Sequence, residues 1–178
     1  MKRKASAAWR GDLKAGKGSI STESGVLKET QYSFSTRFEN GVGTNPEELI
    51  AAAHAGCFSM AFSAELEKTG ITPESIHTTA TITLEKTDAG FTVTQSHLDV
   101  SARIPGADKA KVLELANAAK AGCPISRLLK ANITMDAKLE TSSSATSGKA
   151  GGLMKVERLK AAWPFGRKLH RFDFKMQS

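Results

Sequence analysis

The sequence predicts an α+β domain in which an antiparallel sheet wraps around a long, buried central helix. Residues 45–68 are apolar on almost every helical face, which is typical of a helix buried on all sides. Two later segments alternate apolar and polar residues on either side of Asp88-Ala89-Gly90, as the strands of a β-hairpin do. An amphipathic helix over 107–120 and a short helix after Cys123 complete the pattern.

The central helix has recognisable start and stop signals. Asn45 can cap its first turn, and Pro46 suits the first helical position. Glu47 and Glu48 complement the positive end of the helix dipole. Gly70 is expected to close the helix.

Two strand predictions depend on alternation. Residues 32–38 alternate aromatic or Thr side chains with Ser33, Ser35 and Arg37, which predicts a half-buried strand with Arg37 on its polar face. In the hairpin, even positions over 76–84 face inward. The inward phase of 91–104 changes from odd, with Phe91 and Val93, to even, which predicts a β-bulge near Gln95.

Composition divides the chain after Glu140. Residues 1–140 form the predicted domain and carry almost no net charge, whereas residues 141–178 hold most of the formal charge of +7. The segment 141–148 (TSSSATSG) reads as a flexible linker and the rest as a flexible basic tail. The tail interleaves cations with aromatic residues, so binding of nucleic acid or an acidic surface is an alternative function; we favour a plain appendage.

The sequence excludes several classes of protein. The N-terminus lacks the apolar run of a signal peptide, and no stretch reaches the roughly 20 apolar residues that span a bilayer. We therefore expect a cytoplasmic protein without membrane contact, whose two cysteines are catalytic or inert. No metal site is expected, because two thiols are too few and the histidines lack ligand spacing: His54, His77, His97 and His170.

Cys57 and Cys123 have unusual surroundings for intracellular cysteines. A cysteine in an alanine-rich helix is usually an inert core residue. Gly56 could break the helix before Cys57 and leave the sulfur at a new helix N-terminus, where a thiolate is favoured. In a straight helix, Glu47 would instead lie about 15 Å along the axis from Cys57. Cys123 precedes a proline that suits a helix start, so by helix position alone a lowered pKa is equally expected for Cys123.

Three motifs carry a family resemblance: 44–50 (TNPEELI), 52–60 (AAHAGCFSM) and 121–126 (AGCPIS). With the supporting segments 9–14, 21–27 and 36–39, they resemble the OsmC branch of the OsmC/Ohr organic hydroperoxide reductases, in order and over 1–140. The resemblance implies an intertwined homodimer with two sites at the subunit interface. It implies no metal, haem or other cofactor.

The resemblance also implies a thiol peroxidase that reduces organic hydroperoxides. Cys57 would be the peroxidatic residue, Cys123 the resolving residue, and Arg37 with Glu47 the activating pair. Electrons would come from a dithiol, for which a lipoylated protein is the expected donor. A redox sensor that forms the same disulfide without rapid turnover is the alternative.

The chemistry of these residue types agrees with that reading. A free thiol is mostly protonated at neutral pH, and an adjacent guanidinium favours the thiolate. Glu47 would orient Arg37 through two hydrogen bonds, with Glu48 as the competing partner. His54 is expected to be a packed helix residue outside catalysis. The apolar neighbours Phe58, Met60 and Ile125 would suit an organic hydroperoxide better than hydrogen peroxide.

Overall fold

The computed structural model describes residues 1–140; the predicted linker and basic tail lie outside the described residues. The described elements follow in this order: β1 (Ala5–Arg10), β2 (Lys17–Thr22), β3 (Thr30–Ser33), α1 (Phe34–Phe38), α2 (Pro46–Glu67), β4 (Ser75–Thr87), β5 (Gly90–Arg103), α3 (Lys109–Gly122), α4 (Pro124–Leu128) and β6 (Asn132–Glu140). The α+β class predicted from sequence is confirmed.

The six strands form two three-stranded sheets, in the orders β1-β2-β3 and β4-β5-β6. All neighbouring strands are antiparallel except β5 and β6, which pair in parallel. The predicted hairpin is β4–β5, and Gly90 at its turn has φ +102°, a conformation that favours glycine. Thr83 pairs with Gln95 but Leu84 with Val93, so Thr94 is an extra residue and the predicted bulge is confirmed.

The hydrophobic core lies between α2, α3 and the second sheet. Even-numbered residues of β5 point into it, as the alternation predicted. Burial of each large apolar side chain contributes about 1.5–3 kcal/mol to stability. The core residues are Phe58, Phe62, Leu66, Leu98, Val100, Ala102, Ile104, Val112, Leu115, Ala116 and Ala119.

Helix α2 begins as predicted but is buried on one side within the chain. The Asn45 side chain accepts a hydrogen bond from the Glu48 N–H at 2.8 Å, and Pro46 is the first helical residue. The buried residues recur every fourth position: His54, Phe58, Phe62 and Leu66. The expectation of burial on every side is therefore wrong for one chain, because the sheet and α3 cover a single stripe. Met60 on the uncovered side is 77% exposed.

Two other expectations about α2 are corrected. The helix runs from Pro46 to Glu67 without a break, so Gly56 does not create a new helix N-terminus at Cys57. A single glycine weakens a helix by only about 1 kcal/mol relative to alanine, which packing of the flanking turns offsets. The second expectation was that no stretch is long and apolar enough to span a bilayer. By length and composition α2 is, with mean hydropathy 1.3, although the core helix of a soluble protein can meet the same criteria.

The predicted strand over 32–38 stops at Ser33, and α1 follows. A capping box turns the chain: the Thr36 N–H donates to the Ser33 hydroxyl at 3.3 Å, and the Ser33 N–H donates to Thr36 Oγ1 at 2.9 Å. This local pairing outweighs the alternating pattern. Phe91, expected to face inward, is 61% exposed, and its ring contacts Phe38 at a centroid distance of 5.1 Å.

Candidate active site

The two cysteines meet where α2 contacts the start of α4. Cys57 lies in the middle of α2, and Cys123 occupies the N-cap position of α4. Their Sγ atoms are 2.9 Å apart, and both thiols are free. Cys57 is partly exposed, whereas Cys123 is fully buried behind it. An incoming reagent therefore reaches Cys57 first, and Cys123 is positioned to react with whatever forms there.

The surroundings shift the pKa values of the two thiols in opposite directions. Burial raises the pKa of Cys57, and the neighbouring Cys123 thiol raises it further. Burial also opposes ionisation of Cys123, but hydrogen bonds from the Cys57 thiol, the Ser126 N–H and hydroxyl, and the Ile125 N–H outweigh it and lower the Cys123 pKa. Within one chain, Cys123 is the more acidic thiol.

Arg37 and Glu47 form the predicted pair at the N-terminal end of α2. Arg37 Nε donates to both Glu47 carboxylate oxygens, at 3.0 and 3.1 Å, and Arg37 Nη2 donates to Oε1 at 2.6 Å. Glu48, the competing partner considered from sequence, instead accepts from the Thr44 hydroxyl at 2.9 Å. The Asn45 amide donates to the Thr36 carbonyl at 3.0 Å and so fixes α1 beside the start of α2.

The structure brings together Cys57 with Cys123, and Arg37 with Glu47, but keeps the two pairs apart. Because α2 is continuous, Glu47 and Cys57 are separated by ten residues, or about 15 Å along the helix axis. Among the described residues, no hydrogen bond or ion pair joins Arg37 to either cysteine. One chain therefore holds two halves of the predicted site.

An apolar cavity of about 290 Å³ opens beside Arg37. It lies at the first sheet and α1, away from the thiols, and was not predicted from the sequence. Its lining is Trp9, Leu13, Tyr32, Ser33, Phe34, Arg37, Phe38 and Pro46. Of the apolar neighbours expected around Cys57, Phe58 is part of the core, Ile125 is half-buried and Met60 is exposed.

His54 is fully buried one helical turn before Cys57. Its Nδ1 lies 2.6 Å from the Ser96 hydroxyl on β5, and its Nε2 lies 2.8 Å from the Ser126 hydroxyl on α4. Burial lowers the pKa of His54, so the imidazole is neutral at pH 7. The residue is packed, as the sequence predicted, but its link to the segment that follows Cys123 had no signal in the sequence.

A second histidine lies in a cluster on the outer face of β5 and β6. His97 Nε2 is 3.4 Å from a carboxylate oxygen of Asp99 and 3.4 Å from one of Asp136. The two aspartate side chains are 58% and 78% exposed. Carboxylates this exposed are solvated, so the cluster lacks the buried ligands typical of a protein metal centre.

Known proteins resemble the chain in both sequence and structure. The family model described as OsmC-like protein matches residues 38–138. "Peroxiredoxin OsmC" of Escherichia coli K12 is 53% identical over 139 residues, which is 78% of this chain and 97% of that protein. "Organic hydroperoxide resistance protein OhrB" of Bacillus subtilis 168 is 32% identical over 124 residues, covering 69% of this chain and 88% of the relative.

A solved structure supports the same relationship. The crystal structure of the organic hydroperoxide resistance protein OhrB of Bacillus subtilis aligns with a TM-score of 0.56 and 27% identity, covering 77% of this chain and 98% of that one. The order of elements and the two sheets therefore match a known architecture. The match to the family model, the sequence identity to these relatives and the shared fold show that the chain belongs to the OsmC family.

Proposed function

We propose that the chain is a peroxide-reducing enzyme: a thiol-dependent peroxidase that converts organic hydroperoxides to alcohols. The relatives named as a peroxiredoxin and as organic hydroperoxide resistance proteins support peroxide reduction. The observation that carries the proposal is the pair of free thiols 2.9 Å apart, one accessible and one buried. This is the arrangement that a two-cysteine cycle requires.

In the proposed cycle, the Cys57 thiolate attacks the terminal oxygen of the hydroperoxide. An S–O bond forms, the O–O bond breaks, and the alkoxide leaves with a proton as the alcohol. The Cys123 thiolate then attacks the sulfenic acid; the S–S bond forms and water leaves. A dithiol reductant, for which we propose a lipoylated protein, then reduces this disulfide by thiol–disulfide exchange: the enzyme's S–S bond breaks, an S–S bond forms in the reductant, and both cysteines return to thiols. No cofactor enters this sequence.

Among the described residues of its own chain, no cation lies among the groups that shift the pKa of Cys57. Its pKa is raised by burial and by the Cys123 thiol, so most of it is protonated at neutral pH. Arg37 is held at Glu47, about 15 Å from Cys57 along the axis of the same helix. We therefore propose that the partner subunit's Arg37, oriented by the partner subunit's Glu47, lies beside Cys57 in a homodimer.

The exposed apolar side of α2 supports this assembly. The helix is apolar around most of its circumference, yet residues 1–140 of one chain cover one stripe of it. Large uncovered apolar surfaces are typical of protein–protein interfaces. Pairing α2 with its copy would bury that surface and form two equivalent sites related by a twofold axis.

The cavity beside Arg37 supports an organic substrate. Its walls are mostly aromatic and aliphatic, and Arg37 supplies the one charged group among the described residues that line it. An apolar group of a hydroperoxide fits the cavity, while the guanidinium can donate hydrogen bonds to the peroxide oxygens. Hydrogen peroxide has no group to occupy the apolar volume, so we expect it to be the poorer substrate.

Stopped-flow oxidation of the reduced full-length protein tests the proposal. The reagents are cumene hydroperoxide, tert-butyl hydroperoxide and hydrogen peroxide, with the variants Cys57→Ser and Cys123→Ser. We expect fast oxidation by the organic reagents, its loss in Cys57→Ser, and a trapped sulfenic acid in Cys123→Ser. Slow oxidation by all three reagents would refute the peroxidase and leave the redox sensor as the remaining hypothesis.

The proposal includes two further expectations, about the location of the protein and the extent of its peroxidase domain. A cytoplasmic location agrees with two free thiols, because the reducing cytoplasm keeps such pairs reduced between turnovers. Residues 1–140 hold every residue assigned to the cycle, and we propose that they form the peroxidase domain without residues 141–178. A truncated chain ending at Glu140 that keeps full activity would support this division.

A further inference from the structure

The segment behind Cys123 contains a chain of polar groups that the proposed cycle does not use. It runs from the Ser96 hydroxyl through both nitrogens of His54 to the Ser126 hydroxyl. Ser126 is the third residue of α4, and Cys123 is the N-cap of that helix. The Ser126 N–H and hydroxyl are both among the groups that hydrogen-bond the ionised Cys123 sulfur. The network therefore ends beside the Cys123 sulfur.

The protons of this network can be assigned from its partners. A neutral imidazole has one N–H donor and one bare nitrogen acceptor. If Nε2 carries the proton, it donates to Ser126 Oγ, and the Ser96 hydroxyl donates to Nδ1. The Ser126 hydroxyl proton is then free to point at the Cys123 sulfur. With the proton on Nδ1, the Ser126 hydroxyl would donate to Nε2 and could not donate to the thiolate.

We propose that His54 is a positioning residue that holds the Ser126 hydroxyl so that it donates to the Cys123 thiolate. His54 itself does not touch the reacting sulfurs; it acts through Ser126. The role requires the tautomer in which the Ser96 hydroxyl donates to Nδ1 and the Nε2–H donates to Ser126. The lowered pKa of Cys123, to which the Ser126 hydroxyl contributes, agrees with this arrangement.

Other titratable groups near His54 do not compete for the same role. On β5, His97 lies on the face opposite to Ser96, as strand alternation requires. On α4, Arg127 is exposed. On α2, Glu47 and Glu48 lie in the first turn, two turns away from His54. The thiols of Cys57 and Cys123 are the titratable groups that the network can influence.

The consequence for the cycle rests on the proposed function. Cys123 must lose its proton before it attacks the Cys57 sulfenic acid, and the departing hydroxide takes up a proton to leave as water. A hydroxyl that stabilises the Cys123 thiolate accelerates this second step. It does not assist the attack of Cys57 on the hydroperoxide, because the neighbouring Cys123 raises the Cys57 pKa.

The first experiment titrates Cys123 in full-length Cys57→Ser protein, where it is the single thiol, by the ultraviolet absorbance of the thiolate against pH. Ser126→Ala removes the proposed donor, and we expect the thiolate-to-thiol ratio at a given pH to fall about tenfold, as loss of one hydrogen bond to a charged group predicts. Ser59→Ala is the matched control, because Ser59 lies on α2 but bonds Thr78. We expect it to leave the titration unchanged.

Two substitutions of His54 separate positioning from packing. The amide nitrogen of His54→Gln can take the place of Nε2 and still donate to Ser126, whereas that of His54→Asn takes the place of Nδ1. We expect Gln to retain the Cys123 thiolate and Asn to lose it about tenfold, with no further loss when Asn is combined with Ser126→Ala. Equal losses in Gln and Asn, or additive losses with Ser126→Ala, would overturn the proposal.

A second readout keeps this inference distinct from the proposed function. In protein with both cysteines, we expect Ser126→Ala to slow disulfide formation about tenfold after Cys57 is oxidised, without slowing the oxidation of Cys57. Unchanged Cys123 titration in Ser126→Ala overturns the positioning role whatever the peroxidase assay gives. Slow oxidation of Cys57 by every hydroperoxide refutes the peroxidase but leaves the titration result standing.

Discussion

Complementation between two inactive variants tests whether the active site is shared between subunits. The first variant, Arg37→Met, removes the guanidinium but keeps an unbranched side chain. The second, Cys57→Ser, removes the peroxidatic sulfur. Loss of a neighbouring cation costs an ionised group about one to three pKa units, so oxidation of Cys57 in Arg37→Met should slow by about ten- to a thousandfold. Cys57→Ser should show no peroxidase activity.

The structure determines what the mixed dimer should do. Arg37 is bonded to Glu47 by contacts of 2.6 to 3.1 Å, and Glu47 lies about 15 Å along α2 from the Cys57 of its own chain. If Arg37 serves the partner's sulfur, one site of the mixed dimer combines an intact Cys57 with an intact Arg37. The other site carries both defects. We expect the mixed dimer to show about half of the wild-type activity, since one of its two sites is intact.

The assay uses chains with two different affinity tags, produced together, so that mixed dimers are purified through both tags. Each parent homodimer is measured in parallel with cumene hydroperoxide and a dithiol reductant. Mixed dimers no more active than Arg37→Met homodimers would refute a shared site and would mean that Arg37 acts within its own chain. Full activity of the Arg37→Met homodimer would refute the role of Arg37 itself.

Three further predictions follow from burial and pKa. Leu66→Ala, at a fully buried core position, should lower the free energy of unfolding in urea by about 2–5 kcal/mol, whereas Leu128→Ala, at a side chain 71% exposed, should change it by less than about 0.5 kcal/mol. Met60→Arg should raise the dimer dissociation constant in sedimentation at least about tenfold by placing an unpaired charge in the proposed interface, and Val26→Arg, at a side chain 85% exposed, should not. Burial lowers the folded-state pKa of His54 below its ordinary value of 6.5, so the unfolded state binds more protons below pH 6.5. The contribution of His54 to the free energy of unfolding should therefore be greatest above pH 6.5 and fall by up to about 1.4 kcal/mol per pH unit below it. His54→Gln should flatten this dependence on pH.

Local signals in the sequence predicted most of the fold. The start of α2 was predicted because Asn45 and Pro46 act within one turn, and the hairpin because alternation and turn residues are close in the chain. Residues 32–38 were mispredicted because a reciprocal Ser33–Thr36 cap competes with the alternating pattern. The parallel pairing of β6 with β5 depends on contacts about 37 residues apart, which alternation cannot report.

The sequence predicted which residues of the candidate site pair, but not how far apart the two pairs lie within one chain. The Arg37–Glu47 and Cys57–Cys123 contacts agree with the motifs. The break expected at Gly56 rested on the freedom of glycine to end a helix and on the distance of about 15 Å between Glu47 and Cys57 in a straight helix. The helix is continuous, and a site shared between two chains would not need the break. The Ser96–His54–Ser126 network joins residues from three distant segments, so no spacing in the sequence indicates it.

The distance between the two sulfurs has a consequence for the fate of the enzyme under heavy peroxide load. A sulfenic acid that waits exposed to excess hydroperoxide can take up a second oxygen and become a dead-end sulfinic acid. The longer a second cysteine takes to reach the first, the longer the sulfenic acid is exposed to this further oxidation. Here Cys57 and Cys123 already lie 2.9 Å apart and need to approach by less than about 1 Å to bond. Inactivation should therefore require far more hydroperoxide per turnover than in an enzyme that must rearrange.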